Sequence, residues 1–190
     1  MRVTRAYPPI LCLTLAACII SQPARPYDGS WWKSLSVSEQ DAFVSGYLDC
    51  YIWDAQRTDY SDKPIRQQRD SISSFYRANP QFASTPVPEL LRKLARTGGP
   101  NRGAERHGVY GGDFWRQLSA TGRVAFLRGY IACNSLYMTT RFSRTPETYA
   151  KTISRWYGVS DADESQLNDK TANDKIGDVL ARLRDRASPK

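Results

Sequence analysis

The sequence predicts an all-α protein: two tandem copies of a three-helix unit packed with pseudo-two-fold symmetry. Three observations lead there: an internal duplication, helical spacing of apolar residues in every block of it, and no strand pattern of comparable strength. The duplication is the clearest. Trp32-Lys33-x-Leu35-Ser36 followed by Ala42-Phe43-Val44-x-Gly46-Tyr47-Leu48-x-Cys50 recurs as Trp115-Arg116-x-Leu118-Ser119 followed by Ala125-Phe126-Leu127-x-Gly129-Tyr130-Ile131-x-Cys133, with a constant offset of 83 and no gap. Ile72-Ser73-Ser74-Phe75-Tyr76 then matches Ile153-Ser154-Arg155-Trp156-Tyr157 at an offset of 81. Val87 to Leu94 matches Ile176 to Leu183 at an offset of 89, so the second copy carries eight more residues, placed in the polar run 160–169.

The first residues stand apart from this repeat. Arg2 and Arg5 precede the apolar run Ile10 to Ala17, the charged and hydrophobic regions of a signal peptide over 1–17. That run falls short of the ~20 apolar residues a helix needs to cross a bilayer. It ends Leu15-Ala16-Ala17-Cys18, which resembles the lipobox of bacterial lipoproteins. The resemblance implies that Cys18 is the lipidated first residue of the mature protein, with Ile19 after it pointing to the outer membrane of a Gram-negative cell. An ordinary cleaved signal with an incidental Cys18 is the alternative. Residues 18–28 read as a tether.

The first copy, 29–96, opens with its longest periodic stretch. Phe43, Gly46, Tyr47, Cys50, Tyr51 and Asp54 follow helical spacing, and Ser36-x-x-Glu39 forms a capping box in front of them, giving a helix over about 38–56. A second helix begins near Pro64 and halts at Asn79-Pro80, and Val87, Leu90, Leu91 and Leu94 mark a third. Gly98 to Gly112 is too rich in glycine and polar residues to build a core, so 97–112 reads as a flexible connector. The second copy, 113–187, repeats the plan. Ser119 or Thr121 caps a helix over about 121–140, Thr145-Pro146-Glu147 starts the next and Gly158 stops it, and Ile176, Val179, Leu180 and Leu183 mark the last.

Charge does not select a partner. The formal net charge of +8 falls to +6 once Arg2 and Arg5 leave with the signal, and the remaining cations are interspersed with acids, as in Arg182 to Arg186. Nucleic acid is excluded as the expected partner of an exported chain; membrane attachment through lipid and a protein or cell-wall partner are expected instead. The first long helices differ in sign. Positions 29–56 carry Lys33 against Glu39, Asp41, Asp49 and Asp54, whereas 111–137 carry Arg116, Arg123 and Arg128 against Asp113, a pattern compatible with one copy orienting against the other.

Two cysteines, Cys50 and Cys133, remain for the folded part, at the same position in each copy. Gly46 and Cys50, like Gly129 and Cys133, lie one turn apart and leave a small-residue face on which another helix can settle. Equivalent residues near a two-fold axis meet, and in an oxidising compartment that meeting forms a disulfide. Two separate small core residues are the alternative.

Little in the sequence supports catalysis. His107, the only histidine, sits in the connector, no cysteine and histidine cluster has metal-ligand spacing, and no nucleophile elbow, phosphate loop or dinucleotide fingerprint is present, so no cofactor is expected. Asp49 and Asp54, with Glu39 and Asp41, offer the one enzymatic reading, a pair of carboxylates hydrolysing a cell-wall glycan. Against it, Asp49 aligns with Ala132, Asp54 with Tyr137 and Asp41 with Val124, and carboxylates on an amphipathic helix are usually its solvated face. The repeated Trp32, Trp115, Tyr47, Tyr130, Phe75 and Trp156 read as core.

Ala42-Phe43-Val44-Ser45-Gly46-Tyr47, Asn79-Pro80-Gln81 and Glu89-Leu90-Leu91, with Phe126-Leu127-Arg128-Gly129-Tyr130 repeating the first, resemble the exported helical immunity proteins of type VI secretion amidases, the Tai class. The resemblance implies a helical protein that occludes a toxin's active site, often as a dimer, which a fused pair would mimic. The family's cysteine arrangement is not matched. The expectation is therefore a non-catalytic, envelope-anchored helical module that binds a protein partner, with the glycan hydrolase as the competing class.

Overall fold

The computed structural model describes residues 27–57, 63–96, 110–138, 142–159 and 171–186. The signal, Cys18, most of the tether and connector, His107 and the polar insertion of the second copy lie outside the described residues. Within them the protein is all-α, with no strand.

Each copy begins with a short helix that the sequence periodicity does not announce: α1, Gly29–Ser34, and α5, Gly112–Gln117. Six residues are too few to display an amphipathic stripe. Their role is carried by one side chain each. Trp32 and Trp115 are buried at 1% and 0% exposure, and their indole N–H groups donate to Ser73 Oγ and Ser154 Oγ, both at 3.0 Å. The connector accordingly ends before Gly112, whose N–H donates to Ala172 O at 2.9 Å.

The long helices follow, α2 at Val37–Asp49 and α6 at Ala120–Tyr137. Ser36 and Glu39 form the expected capping box, each satisfying the other's backbone N–H, while Ser119 alone caps α6 by accepting from Gly122 N at 3.0 Å. Their C-terminal ends differ. From Cys50 to Asp54 the first widens into a π-helix, with Ala55 N–H donating to Cys50 O at 2.9 Å, whereas α6 continues unbroken to Tyr137.

Helix α3, Ile65–Ala78, follows Pro64 and gives way at Asn79 to a 3-10 turn, Pro80–Phe82. Its counterpart α7, Pro146–Trp156, starts on the Thr145 side chain, which accepts from Thr148 N, and ends ahead of Gly158, whose φ of 72° is the left-handed conformation that favours glycine. Helices α4, Val87–Arg96, and α8, Ile176–Arg186, complete the copies.

The same contacts recur at matching positions. Gly29 N–H donates to Ala83 O at 2.8 Å as Gly112 N–H does to Ala172 O; Val87 N–H reaches Tyr27 O and Ile176 N–H reaches Tyr110 O, both at 2.8 Å. Tyr76 Oη donates to Thr85 O at 2.6 Å and Tyr157 Oη to Asp174 O at 2.7 Å. Phe43 packs edge-on to Trp31, with Tyr27 beside both, as Phe126 packs with Phe114 and Tyr110. These aromatics form a continuous core around α2 and α6, while Phe75 and Trp156, also expected in it, lie at its edge, only half-buried.

Candidate functional site

Helices α2 and α6 pack against each other along a seam that the sequence builds from its smallest residues. A Cβ at Gly46 would overlap the carbonyl group of Phe126, lying 2.7 Å from its carbon, and one at Gly129 would stand 2.9 Å from both the Phe43 carbonyl carbon and Tyr47 N. The approach is reciprocal, glycine of one helix on the backbone of the other. One turn further on, Cys50 and Cys133 are joined as a disulfide with Cα atoms 6.1 Å apart. Opposite charges also face each other across the copies, since the Thr121 side chain and the Arg128 charge help the Ser36 bonds hold the Glu39 carboxyl below its ordinary range, while the ion pairs of Arg69 with Asp41 and Asp70, and of Arg128 with Glu147, lie inside single copies.

The four carboxylates of the enzymatic reading end up in three places. Glu39 serves the α2 cap. Asp41 accepts both bonds from Arg69 on α3, at 3.0 and 2.9 Å. Only Asp49 and Asp54 come together, at the end of α2 and in the π segment. Asp54 Oδ2 accepts from Tyr130 Oη at 2.5 Å. Asp49 is 2% exposed, which corrects the expectation of a solvated helix face. Burial foremost, and the Asp54 charge next, push the Asp49 carboxyl up to about 8, with Lys175 opposing and Asp178 adding to the rise. Burial and the adjacent Asp54 likewise raise the Tyr130 hydroxyl. Burial closes the Asp49 carboxyl off from solvent, unlike the accessible carboxylate pair of a glycan hydrolase.

The second copy has no such cluster, because Ala132 and Tyr137 stand where Asp49 and Asp54 would be. Asn134, the counterpart of Tyr51, is wholly buried there with neither amide atom hydrogen-bonded. Leaving such a group unpaired costs about 1–3 kcal/mol, so it does not serve stability.

Among the described residues, surface grooves where a partner could sit include the following three. One, of about 530 Å³, lies between α4 and α6 and is lined by Tyr27, Pro88, Arg92, Ile131 and the half-exposed Leu136. The other two lie one in each copy and share only the aligned positions Gln40 with Arg123 and Ser73 with Ser154. The first-copy cleft, about 400 Å³, has Lys33, Gln40, Ser73 and Arg77 on its walls; the second-copy cleft, about 500 Å³, has Arg123, Lys151, Ser154 and Arg155. Gln40 and Arg123 do the same structural job with different chemistry: Gln40 Nε2 donates to Trp32 O at 2.8 Å and Arg123 Nε to Trp115 O at 3.1 Å. The duplication offsets contained this signal, since they align Gln40 with Arg123, but only the packing of α2 on α3 and α6 on α7 shows which aligned pairs share a cleft.

Among the described residues no group of histidine, cysteine or carboxylate side chains could hold a metal ion, and no helix is long and apolar enough to cross a membrane. No protein-family model, curated protein or solved structure matches the chain.

Proposed function

We propose that the chain is a non-catalytic, envelope-anchored helical module that recognises a protein partner, in the manner of an inhibitor or immunity protein, with its two copies related by a two-fold axis that passes near the disulfide. The observation that carries the reading is the fate of the chemistry-bearing side chains. Asp49 is buried, Asp54 is bonded to Tyr130, Glu39 caps a helix, Asp41 holds Arg69 and both cysteines join the copies. What is left for function is surface, and the reciprocal glycine contacts support a paired arrangement that presents one groove set on each side.

Attachment to the membrane through a lipid on Cys18 belongs to the same proposal, supported by the Leu15 to Cys18 sequence alone. A fatty-acid analogue fed to cells should label the wild type and not Cys18→Ala. For the activity itself, purified protein is incubated with peptidoglycan beside the Asp49→Asn/Asp54→Asn variant, and used as bait on an envelope extract. Capture of a defined protein without release of muropeptides is the expected result. Muropeptide release that disappears in the variant would replace this reading with the hydrolase.

A further inference from the structure

The first-copy cleft takes its walls from α1, the start of α2, the end of α3 and the Pro80 turn, all of them within the described residues. Two cations stand on it. Lys33 and Arg77 are exposed and enter no ion pair among the described residues. Each sits in the last turn of its helix, where the dipole favours a cation without supplying a carboxylate. The carboxylates on the same elements are already engaged: Asp28 caps α1 by accepting from Trp31 N at 2.9 Å, and Asp41 and Asp70 hold Arg69. None of these three lines the cleft.

The second copy does not keep this arrangement. On its short helix Arg116 stands for Lys33, but Asp113 stands for Ser30 and pairs with that arginine at 3.3 Å. Arg77 aligns with Gly158, whose left-handed backbone follows the end of α7. One cation is thus neutralised within its own helix and the other is absent, whereas the first copy presents both. The same cleft holds two polar groups with bonding capacity to spare. Ser73 Oγ accepts from Trp32 Nε1, which leaves its own proton to donate, and Gln40 donates from Nε2 to Trp32 O, which leaves Oε1 to accept. Two cations, a hydroxyl donor and an amide acceptor fit an anion that carries an N–H beside its charge.

We propose that the first-copy cleft takes an aspartate or glutamate residue of the protein partner, its carboxylate held by Lys33, Arg77 and the Ser73 hydroxyl and its backbone N–H donated to Gln40 Oε1. The inference names the chemistry of the partner and so rests on the binding reading above.

The probe is an amide-capped peptide of alternating glutamate and glycine, titrated into the isotope-labelled full chain and followed by NMR. The readout is the pair of indole N–H signals of Trp32 and Trp115, which make the same bond to a serine in the two copies. Saturable movement of the Trp32 signal alone is expected, weakening as salt is raised. Lys33→Gln/Arg77→Gln should lower the affinity about tenfold or more, as the loss of two charge-assisted contacts does. Lys151→Gln/Arg155→Gln, the same change on α7 of the second copy, should alter it less than about twofold. All four positions are exposed, and the indole signal of the unaltered copy checks that each variant remains folded. A Trp32 signal that does not move, both indoles moving alike, or equal losses in the two variants would overturn the proposal. So would an equal response to the peptide with glutamine in place of glutamate, or its displacement by inorganic phosphate or by soluble muropeptides at equal anion concentration, which would assign the cleft to a phosphoryl group or to the cell wall. Each of these outcomes removes the carboxylate ligand and leaves a non-catalytic module standing, whereas peptidoglycan turnover removes the module reading itself.

Discussion

The two long helices begin alike and finish differently. Along the seam α2 and α6 carry the same residues, Phe43 and Phe126, Gly46 and Gly129, Tyr47 and Tyr130, Cys50 and Cys133, and these make the same contacts. Beyond the cysteines they part. In the first copy the backbone widens into a π-helix and Asp54 accepts from Tyr130; in the second the α-helix runs on and Tyr137 packs edge-on to Tyr51 at 5.1 Å. Between the long helix and the next the copies differ too: Asp41, Arg69 and Asp70 form an ion-paired bridge in the first, and Val124, Ala150 and Lys151 stand at those positions in the second. Where two backbones touch, only one side chain fits; where a side chain faces outward or ends a helix, several solutions hold the same fold.

The largest test of that contrast removes the shared bond. Cys50→Ala/Cys133→Ala opens a loop of 83 residues, for which chain-entropy estimates give a loss of ~4 kcal/mol, read as a lower urea midpoint. An unchanged midpoint would mean that packing alone holds the copies together. Next come the glycines. Gly46→Ala and Gly129→Ala each force a methyl group onto backbone that has no free rotamer to yield, and each should cost about 3 kcal/mol. Equal losses would sharpen the equivalence of the two helices, and a loss in one variant only would break it.

A third experiment addresses the divergent end. Asp49 has its pKa raised on folding, so the folded state holds its proton where the unfolded state has released it. Its contribution is therefore least unfavourable below the ordinary carboxylate range and grows worse as pH rises toward about 8. Asp54 and Asp178 reinforce the effect and Lys175 opposes it. Wild type should lose stability between pH 5 and pH 9 in thermal melts, and Asp49→Asn should flatten that slope. A slope kept intact in the variant would place the titration elsewhere. The smallest effect concerns the caps. Ser36→Ala breaks a two-way box and Ser119→Ala a single bond, so each should cost ~1 kcal/mol with the first the larger, as read from melting temperature.

Much of the fold was legible because helices write themselves as period and punctuation. Ser36, Thr145, Pro146 and Gly158 mark ends that the structure keeps, and the apolar stripes of α4 and α8 lie where their spacing puts them. The π segment was not legible, since Cys-Tyr-Ile-Trp-Asp has no composition that distinguishes a widened turn from an ordinary one. Asp49 was misplaced on the solvated face although its counterpart Ala132, small and apolar, pointed inward. The candidate cleft stayed hidden because its walls come from blocks of the chain separated by more than twenty residues. Alignment of the copies shows what changed; only packing shows that the changes face one another.

Tying position 50 to position 133 also alters what the intervening chain is needed for. A protease that cut between 97 and 109 would leave both halves covalently joined and their mutual backbone contacts in place, and on a reducing gel the product would separate into two fragments. The connector is then a means of synthesis rather than of cohesion. Two shorter polypeptides, made apart and oxidised together, should assemble into the same particle.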